Sequence, residues 1–214
     1  MTLNNKNLTI GILYLSLVLV GPVSLLLLPE MFGNATNISA YIDENIALFV
    51  LWIFADIIII IIELFLTTYL YQVTRNLSKE KALYAYIARM GMIVVMLANM
   101  VLLVWILVSN QGNNTINSLL NLHHSGIYVW QIFFFAHLLF LGQVLLKESK
   151  LPKIISYGIL IGSFAYLLDS IYYFTNLDIS IISVIIGMLL AVIAISEVTF
   201  GIFLIIKRKE LFHE

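Results

Sequence analysis

Apolar residues in this chain come in long unbroken runs, not in alternation. Six stretches are each long enough for a helix that crosses a bilayer, which takes roughly 20 mostly apolar residues. They run over Leu8–Leu28, Ala47–Tyr71, Ala82–Ser109, Gly126–Leu146, Ile154–Phe174 and Ile179–Ile206. Runs such as Asp56–Leu66 carry no period of two, which argues against a transmembrane barrel. The pattern predicts an all-α membrane protein, a single six-helix domain over residues 1–214. The first stretch is longer than the ~7–15 apolar residues of a signal-peptide core, so we read it as a retained helix. Gly21-Pro22 falls inside it and predicts a kink, because proline removes a backbone donor.

Composition agrees. Hydrophobic residues make up 62% of the 214 and charged residues 11%, with a mean hydropathy of +1.03. That leaves too little polar surface to cover a globule in water. Soluble enzymes, disordered tails and nucleic-acid binders are excluded as readings of the whole chain. With no cysteine there are no disulfides, thiolate metal sites or cysteine nucleophiles.

The net charge of -1 hides a gradient. Lys6, the Arg75–Lys81 loop, the Lys147–Lys153 loop and Lys207-Arg208-Lys209 hold ten of the eleven basic residues. The three intervening loops have none, and carry Glu30, Asp43, Glu44 and Asp178. The positive-inside rule then predicts both termini in the cytoplasm of a cell whose inner, or plasma, membrane holds the chain. Trp52, Trp105 and Trp130 fall about one turn inside the opposite boundary, where indoles anchor at the interface. Asn34-Ala-Thr36, Asn37-Ile-Ser39 and Asn113-Asn-Thr115 match a glycosylation sequon, although an asparagine-rich loop is the plainer reading.

An ionisable side chain at membrane depth is costly unless it pairs, snorkels or faces a cavity. Asp56, Glu63, Arg89, Asp169 and Glu197 lie in the spans, with His137 among them. At ~1.5 Å per residue, Glu63, Arg89 and Glu197 come to one level near the basic end. We therefore expect Arg89 to pair with Glu63 or Glu197, leaving the other carboxyl protonated or hydrogen-bonded. Asp56 and Asp169 lie nearer the acidic end, with His137 about midway. Asp56 and Glu63 are seven apart and share a helix face. Carboxylates and a histidine along such a path suit a proton relay, a polar-ligand site, or simple helix fixing. His123, His124 and His137 are candidate zinc ligands, but their spacing matches no ligand motif, and we assign no metal. No phosphate loop, nucleophile elbow or HExxH is present.

Small residues mark helix contacts. Gly158, Gly162, Tyr166, Asp169 and Tyr173 form a stripe on the fifth stretch. Ser183, Gly187, Ala191, Ala194 and Gly201, with Glu197 beside them, form another on the sixth. We expect both stripes, and hence Asp169 and Glu197, to face protein. Met90, Met92, Met96 and Met100 read as soft core packing.

Phe135-Ala-His-Leu-Leu-Phe-Leu-Gly142, Leu145–Ile154 with its Pro152, and Gly162 followed by Tyr166-Leu-Leu-Asp-Ser170 resemble a bacterial membrane family, domain of unknown function 4386. Gly11-Ile-Leu-Tyr14, Arg89, Glu197 and Phe200-Gly-Ile-Phe203 agree with it. The resemblance implies a six-helix integral membrane protein and supplies no role for any residue.

Three functions remain open: a small-solute or proton-coupled carrier, a structural or sensory accessory subunit, and an intramembrane, metal-dependent hydrolase. An enzyme is the least favoured. The partners these features allow are the lipid bilayer, a small-molecule ligand of unknown identity, and a second copy or another membrane protein. The cofactor is unknown.

Overall fold

The computed structural model describes residues 2–33, 35, 37–109, 111–176 and 179–212. Among them are helices and no strand. Six helices are long and apolar enough to cross a membrane: Leu3–Gly33, Ile46–Thr74, Lys79–Val108, Asn113–Leu145, Lys153–Thr175 and Ser180–Ile206. In lipid a helix satisfies its backbone polar groups internally, which is why runs of this length fold this way. Each span packs on its neighbours in sequence, and the first also packs on the sixth. The six spans therefore close into a ring, and groups pointing inward from all of them meet.

The ends of five spans fall within a few residues of those expected from the apolar runs. The fourth does not. It starts at Asn113, thirteen residues before Gly126. Polar residues dominate this added segment, but Ile116 is buried in it. The residues around Glu30–Glu44, read as a polar loop, contain the short helix Ile38–Glu44. Its Ile38 and Ile42 are buried with Phe32, Phe49, Trp52 and Ile116 in an apolar cluster that caps the acidic end of the ring. Two sequon asparagines serve this cap. Asn37 accepts from the Ala40 N–H at 3.4 Å, and Asn113 Oδ1 accepts from the Ser39 N–H at 2.9 Å. Asn34 and Thr36 of the first sequon, and Asp178, lie outside the described residues.

Pro22 is followed by a π-helical turn, Val23–Leu27. Such turns arise where the regular hydrogen-bond ladder is interrupted. Here the turn carries Ser24, which is fully buried, into the ring. The fifth span is also interrupted, between Gly162 and Phe164. A Cβ at Gly162 would sit 2.8 Å from the Ile193 backbone nitrogen, so only glycine permits this approach of the fifth and sixth spans. Gly11 and Gly201 allow a similar approach of the first and sixth.

Two expectations need correction. Trp52 and Trp130 are buried within the bundle, and only Trp105, at 54% exposure, is free to meet lipid. Trp52 stacks on Phe32 and meets Phe49 edge-on, so the aromatic cap holds it inside the protein. On the sixth span only the Gly201 end of the small-residue stripe packs. Ser183, Gly187, Ala191 and Ala194 are exposed, and the buried face there is Ile186, Ile193 and Ser196. The methionines do line the core: Met92 is buried, and Met90, Met96 and Met100 pack against it.

At the basic end the chain turns back after Ile206. Leu211 and Phe212 are buried there among core residues of the ring. Buried Asn7 donates to the carbonyls of Arg208 and Leu211, at 3.0 and 3.2 Å. Buried Glu148 accepts from the backbone N–H of Lys150 and of Phe212, at 3.0 and 2.9 Å. Phe212 has a positive φ of 61°, a conformation a bulky residue rarely adopts. This strap closes the basic end of the ring.

Candidate functional site

Arg89 sits at the centre of the ring, with no exposed surface. Its Nε donates to Glu63 Oε2 of the second span at 2.5 Å. Its Nη1 lies 2.8 Å from His137 Nε2 of the fourth. Arginine only donates, so Nε2 must accept. His137 Nδ1 lies 2.9 Å from the Ala85 carbonyl, so Nδ1 carries the proton. These two bonds fix a neutral imidazole in one tautomer. The guanidinium also lies 5.9 Å from the Tyr14 ring centre and 5.5 Å from that of Phe134, within the range of cation–π attraction. Tyr166 of the fifth span meets Phe134 edge-on at 4.9 Å. Glu197 of the sixth lies within Coulombic range of Arg89 and Glu63.

Each span thus sends one polar group to this level: Tyr14, Glu63, Arg89, His137, Tyr166 and Glu197. Of the two partners expected for Arg89, the structure selects Glu63. Glu197 is partly buried and makes no ion pair among the described residues. Arg89 Nη2 and the Tyr14 hydroxyl are buried near each other, and among the described residues neither has a partner at regular hydrogen-bond geometry. From the sequence Tyr166 reads as part of a helix-contact stripe and Tyr14 as part of the family resemblance, neither as a site residue. Their helical register with Gly11 and with Gly162 was the signal that could have found them.

Toward the acidic end lies a second polar level, about 10 Å away along the second span, seven residues at 1.5 Å each. Asp56 accepts from the Ser24 hydroxyl that the π turn brings inward. Its other oxygen lies 3.8 Å from His123 Nε2. Asn99 of the third span donates to the His123 carbonyl at 2.9 Å. Trp52 meets the His123 ring edge-on at 5.2 Å. A small cavity opens between Asp56, Asn99, His123 and Trp130.

The other candidates lie elsewhere. Asp169 accepts from Gln131 Nε2 at 3.1 Å, and Ser170 beside it donates to the Tyr128 carbonyl at 2.9 Å. Asp56, His137 and Asp169 therefore belong to three separate clusters. His124 is exposed against Tyr128 and Tyr173. His123 and His137 are four turns apart on one helix, about 21 Å. The structure does not bring these histidines together. Among the described residues no group of three His, Asp or Glu side chains is placed to hold a metal ion.

One family model, described as domain of unknown function (DUF4386), matches residues 9–207. No curated protein and no solved structure matches the chain.

Proposed function

The chain belongs to the DUF4386 family, and from that premise we propose that this multi-pass membrane protein is a small, proton-coupled carrier of a polar solute. The observation that carries the reading is the level around Arg89. A closed ring of six spans holds one polar group from each at a single depth. Two of these, Arg89 Nη2 and the Tyr14 hydroxyl, are buried near one another without a partner at regular hydrogen-bond geometry among the described residues, and the partly buried Glu197 carboxyl makes no ion pair there. A helix bundle that only needed to stay together would gain nothing from buried donors left unsatisfied, each costing about 1–3 kcal/mol. Polar groups that converge at midbundle without partners suit a solute that supplies the missing bonds. In this reading residues 1–214 act as one domain in the inner membrane. The basic end faces the cytoplasm by the charge rule, and the strap closes the cytoplasmic mouth.

The test uses the purified full chain in vesicles loaded with a pH indicator. Amino acids, sugars, organic acids and organic cations are added outside, one class at a time. One class should drive a proton flux that Glu197→Gln abolishes. Absence of solute-driven flux from every class would overturn the reading.

A second reading, an accessory or structural subunit, is favoured by the exposed face of Ser183, Gly187, Ala191 and Ala194. Small residues let a neighbouring helix approach closely in lipid. Crosslinking through Ser183→Cys in membranes tests it: a specific adduct supports association, and only random adducts count against it.

A further inference from the structure

The two polar levels use the same side-chain chemistry, yet only the outer one leaves its carboxylate and histidine unbonded to each other and beside a cavity. At the inner level both His137 nitrogens are engaged. Adding a proton to Nε2 would set one N–H against the Arg89 Nη1 donor. Glu63 is tied to a cation that does not deprotonate. Arg89, Glu63 and His137 are thereby locked together, and the unpaired Glu197 stands outside that lock.

At the outer level Asp56 and His123 are buried, at 9% and 5% exposure. Their approach of 3.8 Å is too long for a hydrogen bond and close enough for strong mutual attraction if the ring is charged. Neither His123 ring nitrogen makes a hydrogen bond among the described residues. The cavity between them has room for about one water, which needs two to four polar partners. Asp56, Asn99 and His123 supply them. The ionisable groups facing this cavity are those two alone. Span by span, the remaining neighbours are Ser24, which donates to Asp56, and Asn99, which holds the His123 carbonyl. His124 points outward to Tyr128 and Tyr173, and Asp169 of the fifth span is engaged by Gln131.

We propose that Asp56 and His123 form a proton-binding site of this protein, set apart from the locked Arg89, Glu63 and His137 cluster. Uptake places one proton on His123 Nε2, facing the Asp56 carboxylate. Release returns it through the water-sized cavity, breaking the N–H bond as an O–H bond forms. The use of that proton rests on the carrier reading; the binding itself is measured without flux.

Trp52 supplies the probe, because a protonated imidazole against an indole quenches its emission. The experiment titrates the full chain in detergent, with Trp105 and Trp130 replaced by phenylalanine, between about pH 4 and pH 9, the range a histidine covers. A one-proton quenching transition is expected. His123→Gln should remove it, and His124→Gln should leave it in place. Asp56→Asn keeps an acceptor for Ser24 and should weaken proton binding about tenfold by removing the facing charge. A transition that survives His123→Gln, or one unmoved by Asp56→Asn, overturns the proposal. The second variant keeps the test alive should the first not fold. A titration present in protein that shows no solute-driven flux would sink the carrier and leave the site. Flux without the titration would do the reverse.

Discussion

The Arg89 level and the Asp56 level are built from the same kinds of residue and behave as opposites. Each has a carboxylate on the second span and a histidine on the fourth. At the inner level the arginine stands between them, and the Arg89–Glu63, Arg89–His137 and His137–Ala85 contacts are at hydrogen-bond length. At the outer level an asparagine takes the arginine's place on the third span, and the acid and histidine face each other across 3.8 Å beside a cavity. A permanent cation locks a polar cluster; without one the acid and histidine share no hydrogen bond. The lesson is that the identity of a buried ionisable residue says less than how many of its bonds are already used.

The largest effect should come from breaking the lock. Arg89→Leu leaves Glu63 buried and unpaired, and removing one partner of a buried ion pair costs about 3–5 kcal/mol. Unfolding of the detergent-solubilised protein should show a loss of that size. Glu63→Gln added to Arg89→Leu should recover part of it, because the neutral amide removes the stranded charge. If Arg89→Leu unfolds like the parent, the inner level is not a lock and the contrast fails.

His137 comes next. Phenylalanine there strands the Arg89 Nη1 donor, an unsatisfied buried group costing about 1–3 kcal/mol, while the Ala85 carbonyl loses only its second partner and keeps its intrahelical one. Glutamine can accept with its oxygen and donate with its nitrogen, so His137→Gln should recover most of that stability. Equal losses in both variants would show that ring packing on Phe134, at 5.9 Å, matters more than the two bonds.

The strap closes the ring nearest the inner level, and Glu148 holds it. Glu148→Ala removes two backbone-to-carboxylate bonds, and a bond to a charged group contributes about 1.5–3 kcal/mol. Much of that should appear locally, as faster protease cleavage near Lys207–Lys209, with a smaller change in global unfolding. Cleavage at the parent rate would mean that Leu211 and Phe212 hold the strap by packing alone.

Parts of this arrangement were legible from the chain. Apolar runs fix spans because lipid tolerates nothing else, and five of the six spans begin and end within a few residues of the expected places. Counting rise per residue brought Glu63, Arg89 and Glu197 to one depth, and Arg89 and Glu63 meet there. It could not choose between the two carboxylates, because depth carries no information on which way each helix faces its neighbours. The early start of the fourth span was hidden because its first thirteen residues are mostly polar and are held by the cap above them. The small residues of the sixth span have the right period for a contact, but period does not say whether the partner belongs to the same chain. Leu211 and Phe212 follow a basic cluster that reads as a tail. Two apolar residues beyond it were the only mark of the strap.

The smallest effect on stability, and the sharpest on the comparison, should come from Asp56→Asn. The substitution keeps size and an acceptor for Ser24, and the facing His123 loses no hydrogen bond because it makes none there. A change that breaks no bond and opens no cavity falls within about ±0.5–1 kcal/mol, near the floor for mild substitutions. Unfolding measured at neutral pH should therefore barely move. A loss as large as that of Arg89→Leu would show Asp56 to be as firmly bonded as Glu63. The two levels would then be two locks stacked about 10 Å apart, by the rise of seven residues, and the outer one would have no freedom left with which to bind a proton.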